Sequence, residues 1–327
     1  MIPHSRPTLG KEEAEAAARV VTSGYIAQGP EVEAFEEECA AFAKREYAVA
    51  VSSGTNALIL ALGALGMGEG ALVAIPSYVC AALATALRVQ RVIAVLCDIG
   101  PDLNLNPRTV PGTAKAAIVP HLFGAPAELP SECAVLEDIA QSIGGRTGRR
   151  GVVAIGSFYA TKMMTTGEGG MVFTDDAAIA DYVRDRREYD KREDFEPRFS
   201  FKMTDIGAAI GRVQLRKLPG FVERRKEIAA RYNEGFHGLP MLLPDPDGHV
   251  YYRYVVSLDR RDLLERHLVK AGIDVKRPVF RPMHHFLGGQ FPESERAHVS
   301  CLSMPVYPGL TDEEVAHVIE SVQRFFA

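Results

Sequence analysis

The 327-residue chain has no cysteine pair at metal-binding or redox spacing: Cys39, Cys80, Cys97, Cys133 and Cys301 are scattered and odd in number. That pattern argues against a disulfide framework and against a zinc knuckle, and it suits a reducing cytoplasm. Surplus positive charge is missing too, since 37 Lys and Arg face 42 Asp and Glu for a net charge of -5. Broad phosphate-binding surfaces for nucleic acid need the opposite balance, and no basic patch or helix-turn-helix is evident. Any phosphate is therefore gripped locally. The most apolar stretch, residues 57–76, is broken by glycines and by Glu69, so it does not read as a membrane span. The opening MIPHSRPTLGKEEAEAAARVV lacks the charged start and apolar core of a signal peptide. Internal repeats and low-complexity tracts are also lacking.

What is present is a 47% hydrophobic chain, long enough to bury a large core and to divide into a major and a minor domain. Residues 11–21 read as a surface helix, SGYIAQGP as a turn, and a second helix starts at Glu31. From Tyr47 short apolar runs alternate with helix-length segments: AVAVSS, ALVAIP, RVIAVLCD, AAIVPHLFG, CAVLEDIA, VAIGSF and GMVFTD. Such alternation predicts an α/β fold with a mostly parallel central sheet and helices on both faces. Ligands of these sheets collect at the carboxyl ends of the strands.

The charged stretch DYVRDRREYDKREDFEPR reads as a solvated helix running into a mobile loop. It precedes MTDIGAAIGRVQLRKL and an amphipathic segment over residues 222–236. The remainder holds a strand candidate, YYRYVVSL, a helix from Asp262, the segment PVFRPMHHF and a last helix capped by Thr311. The expected division is a large domain over residues 1–220 and a small C-terminal α+β domain over residues 221–327.

Three segments at strand ends carry chemistry. SSGTNAL follows a strand and opens a helix, which points the amides of Gly54 and Thr55 outward in a geometry that binds phosphate. Simple helix capping explains the same residues. In AVLEDIAQSIG, alternation sends Glu137 and Asp138 to opposite faces, so only one serves a given site. A carboxylate there can pair with a pyridine nitrogen and keep it protonated, or it can cap the next turn. In GSFYATKMMTTGEGG a single lysine, Lys162, stands between hydroxyl-bearing and glycine residues, next to Tyr159, Met163 and Met164. Those neighbours favour a neutral amine able to attack a carbonyl, although a lone loop lysine is commonly just solvated. Ser157 lies five residues earlier, within reach of the same phosphate as Gly54 and Thr55.

Taken together, SSGTNAL, LEDIAQSIG and SFYATKMMTTGEGG resemble the DegT/StrS family of nucleotide-sugar aminotransferases, of the aspartate-aminotransferase fold type I. The resemblance runs the length of the chain, through SGYIAQGPEVEAFEEECAAF, HLFGAPAEL and LSMPVYPGLTDEEVAHVIESV. It implies pyridoxal 5'-phosphate as cofactor, held as a Schiff base by Lys162, with Asp138 on the pyridine nitrogen and Gln141 near the ring or its hydroxyl. It assigns the phosphate to Gly54, Thr55 and Ser157. It further implies ping-pong transfer from an amino-acid donor, glutamate, to a keto sugar carried on a nucleotide, with Lys162 as both anchor and proton-moving base. A homodimer with shared active sites is part of the same expectation.

Two positions depart from the family pattern. Cys80 stands where the family has an aromatic residue stacking on the cofactor, so either the thiol packs on the ring or Tyr78 supplies the aromatic face. Ser200, in FSFKM, replaces an asparagine that reaches the partner's phosphate, with Lys202 at the neighbouring arginine position; a water can bridge the shorter reach. Tyr25 and His284 are carried over as substrate residues, and His285 has no such support. A sugar dehydratase on the same fold, whose members replace the lysine by histidine, and a non-catalytic regulatory homologue are the alternatives.

Overall fold

All seven apolar runs form strands in a computed structural model, which describes residues 1–190 and 192–327. Two helices, α1 (Lys11–Ser23) and α2 (Pro30–Ala43), lead into β1 (Tyr47–Val51), α3 (Gly54–Ala64), β2 (Leu72–Pro76), α4 (Ala82–Val89) and β3 (Ile93–Cys97). Then come β4 (Ala116–Pro120), β5 (Ala134–Asp138), β6 (Val153–Ser157), β7 (Gly170–Thr174), α5 (Ala177–Arg186) and α6 (Asp205–Gly235). The chain closes with β8 (Tyr254–Ser257), α7 (Arg261–Lys270), α8 (His284–Leu287), α9 (Pro292–Ser300), β9 (Cys301–Met304) and α10 (Asp312–Phe326). Lys191, in the charged stretch after α5, lies outside the described residues.

The first seven strands make one sheet in the order β1-β7-β6-β5-β4-β2-β3, parallel except for β7, which runs antiparallel to both β1 and β6. Strands β4, β6 and β7 are almost wholly buried, as apolar strands covered on both faces must be. Register decides where the site lies. Pro120 pairs with Asp138, Asp138 with Ile155, and both Ser157 and Val51 with Gly170, so the carboxyl ends of β1, β4, β5 and β6 share one edge.

Helix α6 joins two segments that read separately in the sequence. Pro219 lies inside it and removes one i→i−4 hydrogen bond, yet the helix continues through residues 220 and 221. Packing explains the continuity. Leu218 and Val222 are buried with the sheet-side core, and Ile228 and Tyr232 with the C-terminal core; each such side chain contributes about 1.5–3 kcal/mol on burial.

The C-terminal core forms around the antiparallel pair β8–β9 and the rings of Tyr232, Phe236, Tyr251 and Tyr254. Ile2 joins this core and pairs in parallel with Ile273, tying the start of the chain to it. No helix among the described residues is long and apolar enough to cross a membrane.

Candidate active site

The first turn of α3 sits directly against the end of β6. Ser53 caps the helix, accepting from the Asn56 amide at 3.1 Å, which leaves Gly54 and Thr55 in the opening turn with free outward amides as the helix geometry requires. A Cβ added to Gly54 would stand 2.7 Å from the Ser157 Cβ, so glycine permits this approach and only glycine fits without displacement. Gly54, Thr55 and Ser157 are therefore brought together, and their donors suit a phosphate.

Lys162 lies in the loop between β6 and β7, with its amide bonded to the Tyr159 carbonyl at 2.9 Å. Its two following methionines, Met163 and Met164, are buried in the sheet-side core, and Tyr159 is half exposed. The aromatic face beside its amine comes from elsewhere: Nζ is 5.2 Å from the ring centroid of Tyr252, just before β8. Burial opposes ionisation of that phenol, but the charges of Lys162 and Arg253 and a hydrogen bond with Thr161 hold it below the usual tyrosine range. In the sequence Tyr252 is one aromatic of the strand candidate YYRYVVSL, with no local feature that ties it to Lys162.

Asp138 and Glu137 do part company as strand alternation requires. Asp138 is buried at the end of β5 and accepts the Ala140 amide through Oδ1 at 2.9 Å. Burial pushes its carboxyl up, with the Ala140 amide and the positive charge of Lys162 working against that shift. No hydrogen bond among the described residues reaches its Oδ2. Glu137 is spoken for: His121 at 2.9 Å and the amides of Gly148, Arg150 and Gly151 all donate to it. Burial resists, but His121 and the Gly151 and Arg150 amides bring its carboxyl down to about 2. The Ala127 amide donates to His121 Nδ1 at 2.9 Å, which fixes the proton on the nitrogen facing Glu137. Glu137 is thus a structural anion and Asp138 the one left for a ligand.

Gln141 Oε1 accepts the Phe123 amide at 2.7 Å, leaving the Nε2 donors for a neighbour. Phe123 has φ 61, and Tyr251, on the segment opposite, has φ 53. Left-handed conformations of bulky residues cost about 1–3 kcal/mol each and persist where surrounding contacts over-determine them.

The remaining candidates are placed less centrally. Cys80 is exposed just ahead of α4, whereas Tyr78 is wholly buried, edge-on to Phe123, with its hydroxyl 3.5 Å from the Ala297 carbonyl. A ring with no exposed surface offers no face to a ligand, so of the two replacements for the family's aromatic only the Cys80 thiol is open. Ser200 is exposed, and Lys202 pairs with Glu188 at 2.5 Å. Tyr25 is 80% exposed. His284 is held in a relay in which Ser77 bonds its Nδ1 at 2.6 Å and Glu295 its Nε2 at 2.9 Å, and the same Glu295 oxygen takes His285 at 2.7 Å. His284, His285 and Glu295 bring ligand-type atoms within 4.8 Å of one another, and both imidazoles hydrogen-bond the same Glu295 oxygen.

The DegT/DnrJ/EryC1/StrS aminotransferase family model matches residues 7–323. The chain belongs to this family. It is 35% identical over 347 residues to the erythromycin biosynthesis sensory transduction protein EryC1 of Saccharopolyspora erythraea, covering 94% of each chain. It is 32% identical to the dTDP-4-dehydro-2,3,6-trideoxy-D-glucose 4-aminotransferase of Saccharopolyspora spinosa, covering 99% of this chain and 96% of that protein. Among solved structures, the aminotransferase TlmJ from Streptoalloteichus hindustanus superposes with a TM-score of 0.91 at 31% identity, covering 99% of this chain and 98% of that one. The chain is accordingly an aminotransferase of the pyridoxal phosphate-dependent type, with the fold expected from its sequence.

Proposed function

We propose that this family member transfers an amino group from an amino-acid donor, glutamate, to a keto sugar carried on a nucleotide, in two half-reactions centred on Lys162. The observation that carries this reading is the convergence of Lys162, Asp138 and the Gly54–Ser157 contact on one edge of the sheet. The fit to pyridoxal phosphate is chemical as well as spatial. The missing Cβ at Gly54 leaves a small donor-lined cradle beside Ser157, and among the described residues nothing bonds to Oδ2 of buried Asp138. Bound pyridoxal phosphate supplies an electron sink and carries the amino group between donor and acceptor.

The chain's own groups do the rest. Amides of Gly54 and Thr55 and the Ser157 hydroxyl bind the phosphate, with Ser200 contributing from a second subunit. Asp138 would hold the pyridine proton, and Gln141 and Cys80 would be the neighbours of the ring. Lys162 would hold the cofactor, and its amine would take and return a proton at the substrate carbon. Tyr25 and His284 contact the sugar, in a homodimer whose active sites are shared. Residues 1–220 form the cofactor-binding domain and residues 221–327 the small domain, in a protein of the reducing cytoplasm.

Similarity to the dTDP-linked deoxysugar 4-aminotransferase supports a nucleotide-sugar acceptor. The test is incubation of pyridoxamine phosphate-loaded protein with a panel of nucleotide keto sugars, read by mass spectrometry. Amination of at least one supports the reading. Return of the loaded form by keto acids alone contradicts it.

A further inference from the structure

The ring beneath Lys162 is delivered by a clasp rather than by a strand. The Val250 amide donates to the Gly124 carbonyl at 3.0 Å and the Arg253 amide to the Phe123 carbonyl at 3.1 Å, joining the segment before β8 to the turn after β4. Each half carries an aromatic residue in the left-handed region, Phe123 and Tyr251, and each is pinned: Gln141 takes the Phe123 amide, and His249 Nδ1 takes the Tyr251 amide at 2.9 Å. Gly124, at φ 100, has the one side chain that fits, because a Cβ there would stand 3.0 Å from the amides of both Tyr251 and Tyr252.

A buried cation secures the clasp. Arg225 is 4% exposed and donates through one nitrogen to the carbonyls of Tyr251, Tyr252 and Val306, while its Nε has no partner among the described residues. Burial without a carboxylate pulls its guanidinium down to about 10. A charge buried on backbone carbonyls alone is costly, and here it fixes the backbone of the residue whose ring faces Lys162.

We propose that Tyr252 is a positioning residue that acts through Lys162: its ring face stabilises positive charge on the Lys162 nitrogen and so sets the pH at which that nitrogen loses its proton. The inference rests on the reading of Lys162 as the cofactor lysine. An aromatic face within about 6 Å of an ammonium favours the charged form, and more so when the pair is shielded from water. Arg253 lies over the same ring, 5.6 Å from its centroid, and opposes a charge on Lys162, while the Asp138 carboxylate supports it; both groups are common to every chain compared below. Lys162 has to be charged in one part of the cycle and neutral in another, so a ring that biases the balance tunes the pH range of turnover.

Two readouts test this, on wild type, Tyr252→Phe, Tyr252→Leu and a chain carrying pentafluorophenylalanine at position 252. The first is the pH dependence of the absorption of bound pyridoxal phosphate. The second is the pH dependence of Lys162 acetylation in the cofactor-free protein, followed by mass spectrometry. The expected result is a midpoint lowered by about one pH unit in Tyr252→Leu and in the fluorinated chain, with Tyr252→Phe close to wild type. The fluorinated ring keeps its shape and loses its electron-rich face, so this comparison holds even if Tyr252→Leu does not fold. An unchanged midpoint in the fluorinated chain, or a shift in Tyr252→Phe as large as in Tyr252→Leu, overturns the proposal. If wild type shows no absorption from bound cofactor, it is the Lys162 reading that fails, and the acetylation series still tests the ring.

Discussion

Gln141 Oε1 accepts the amide of Phe123 at 2.7 Å, so the side chain beside the edge where β4, β5 and β6 end also braces a turn held in a left-handed conformation. Gln141→Ala leaves that amide unpaired. The expected loss is about 1–3 kcal/mol of stability, measured by urea unfolding, together with weaker cofactor retention. Unchanged stability would mean that the turn is held by its contacts with residues 250–253 alone.

Gly54→Ala places a methyl 2.7 Å from the Ser157 Cβ. Overpacking of this kind costs about 1–3 kcal/mol. If it is felt where the phosphate binds, affinity for pyridoxal phosphate falls by roughly 10–100-fold, which a spectroscopic titration measures. Alanine at Gly66, where an added Cβ meets nothing but φ is 68, tests backbone strain instead and should leave cofactor affinity unchanged.

The two adjacent acids respond to pH with opposite signs. Glu137 is held at about 2 against 4.5 unfolded, so its contribution is present above pH 4.5 and is lost as pH falls towards 2. Glu137→Gln should destabilise the protein by about 1–3 kcal/mol at neutral pH and flatten unfolding across that acid window. Burial raises Asp138 above 3.8, so its stability is full below pH 3.8 and is lost as pH rises through the folded value. Asp138→Asn should therefore stabilise the cofactor-free protein at neutral pH while lowering amino transfer by at least about tenfold, the trade-off expected of a functional buried charge. Thermal melts with and without cofactor, alongside assays of donor turnover, check both halves.

Cys80 is exposed while Cys39, Cys97 and Cys301 are buried. A thiol reagent should label Cys80 fastest in the cofactor-free protein, and bound pyridoxal phosphate should protect it if the thiol lies along the ring. Peptide mapping after brief labelling gives the answer. Equal labelling with and without cofactor would place Cys80 away from the ring.

The strands were legible because apolar runs bounded by turns survive any change in their surroundings. All seven form the sheet, and Asp138, Lys162 and the Gly54–Ser157 contact follow from where those strands end. Helix α6 was not legible as one element, since Pro219 interrupts the local pattern and only burial on two cores carries the helix past it. Strand β9 has four residues and exists because β8 pairs with it, a long-range contact with no local signal. Tyr252 escaped notice for the same reason. It reads as one more aromatic in YYRYVVSL, and only the clasp to Phe123 and Gly124 turns its ring to Lys162. The two methionines after Lys162 read as its environment but are buried in the sheet-side core, and the aromatic face beside its amine comes from Tyr252 instead.

The central claim is that Lys162 carries the cofactor. Borohydride reduction of the purified protein, followed by proteolysis and mass spectrometry, locates the lysine that holds pyridoxal phosphate. A single phosphopyridoxyl group is expected on Lys162, absent from Lys162→Ala. A label on another lysine, or an equal label in Lys162→Ala, would contradict it.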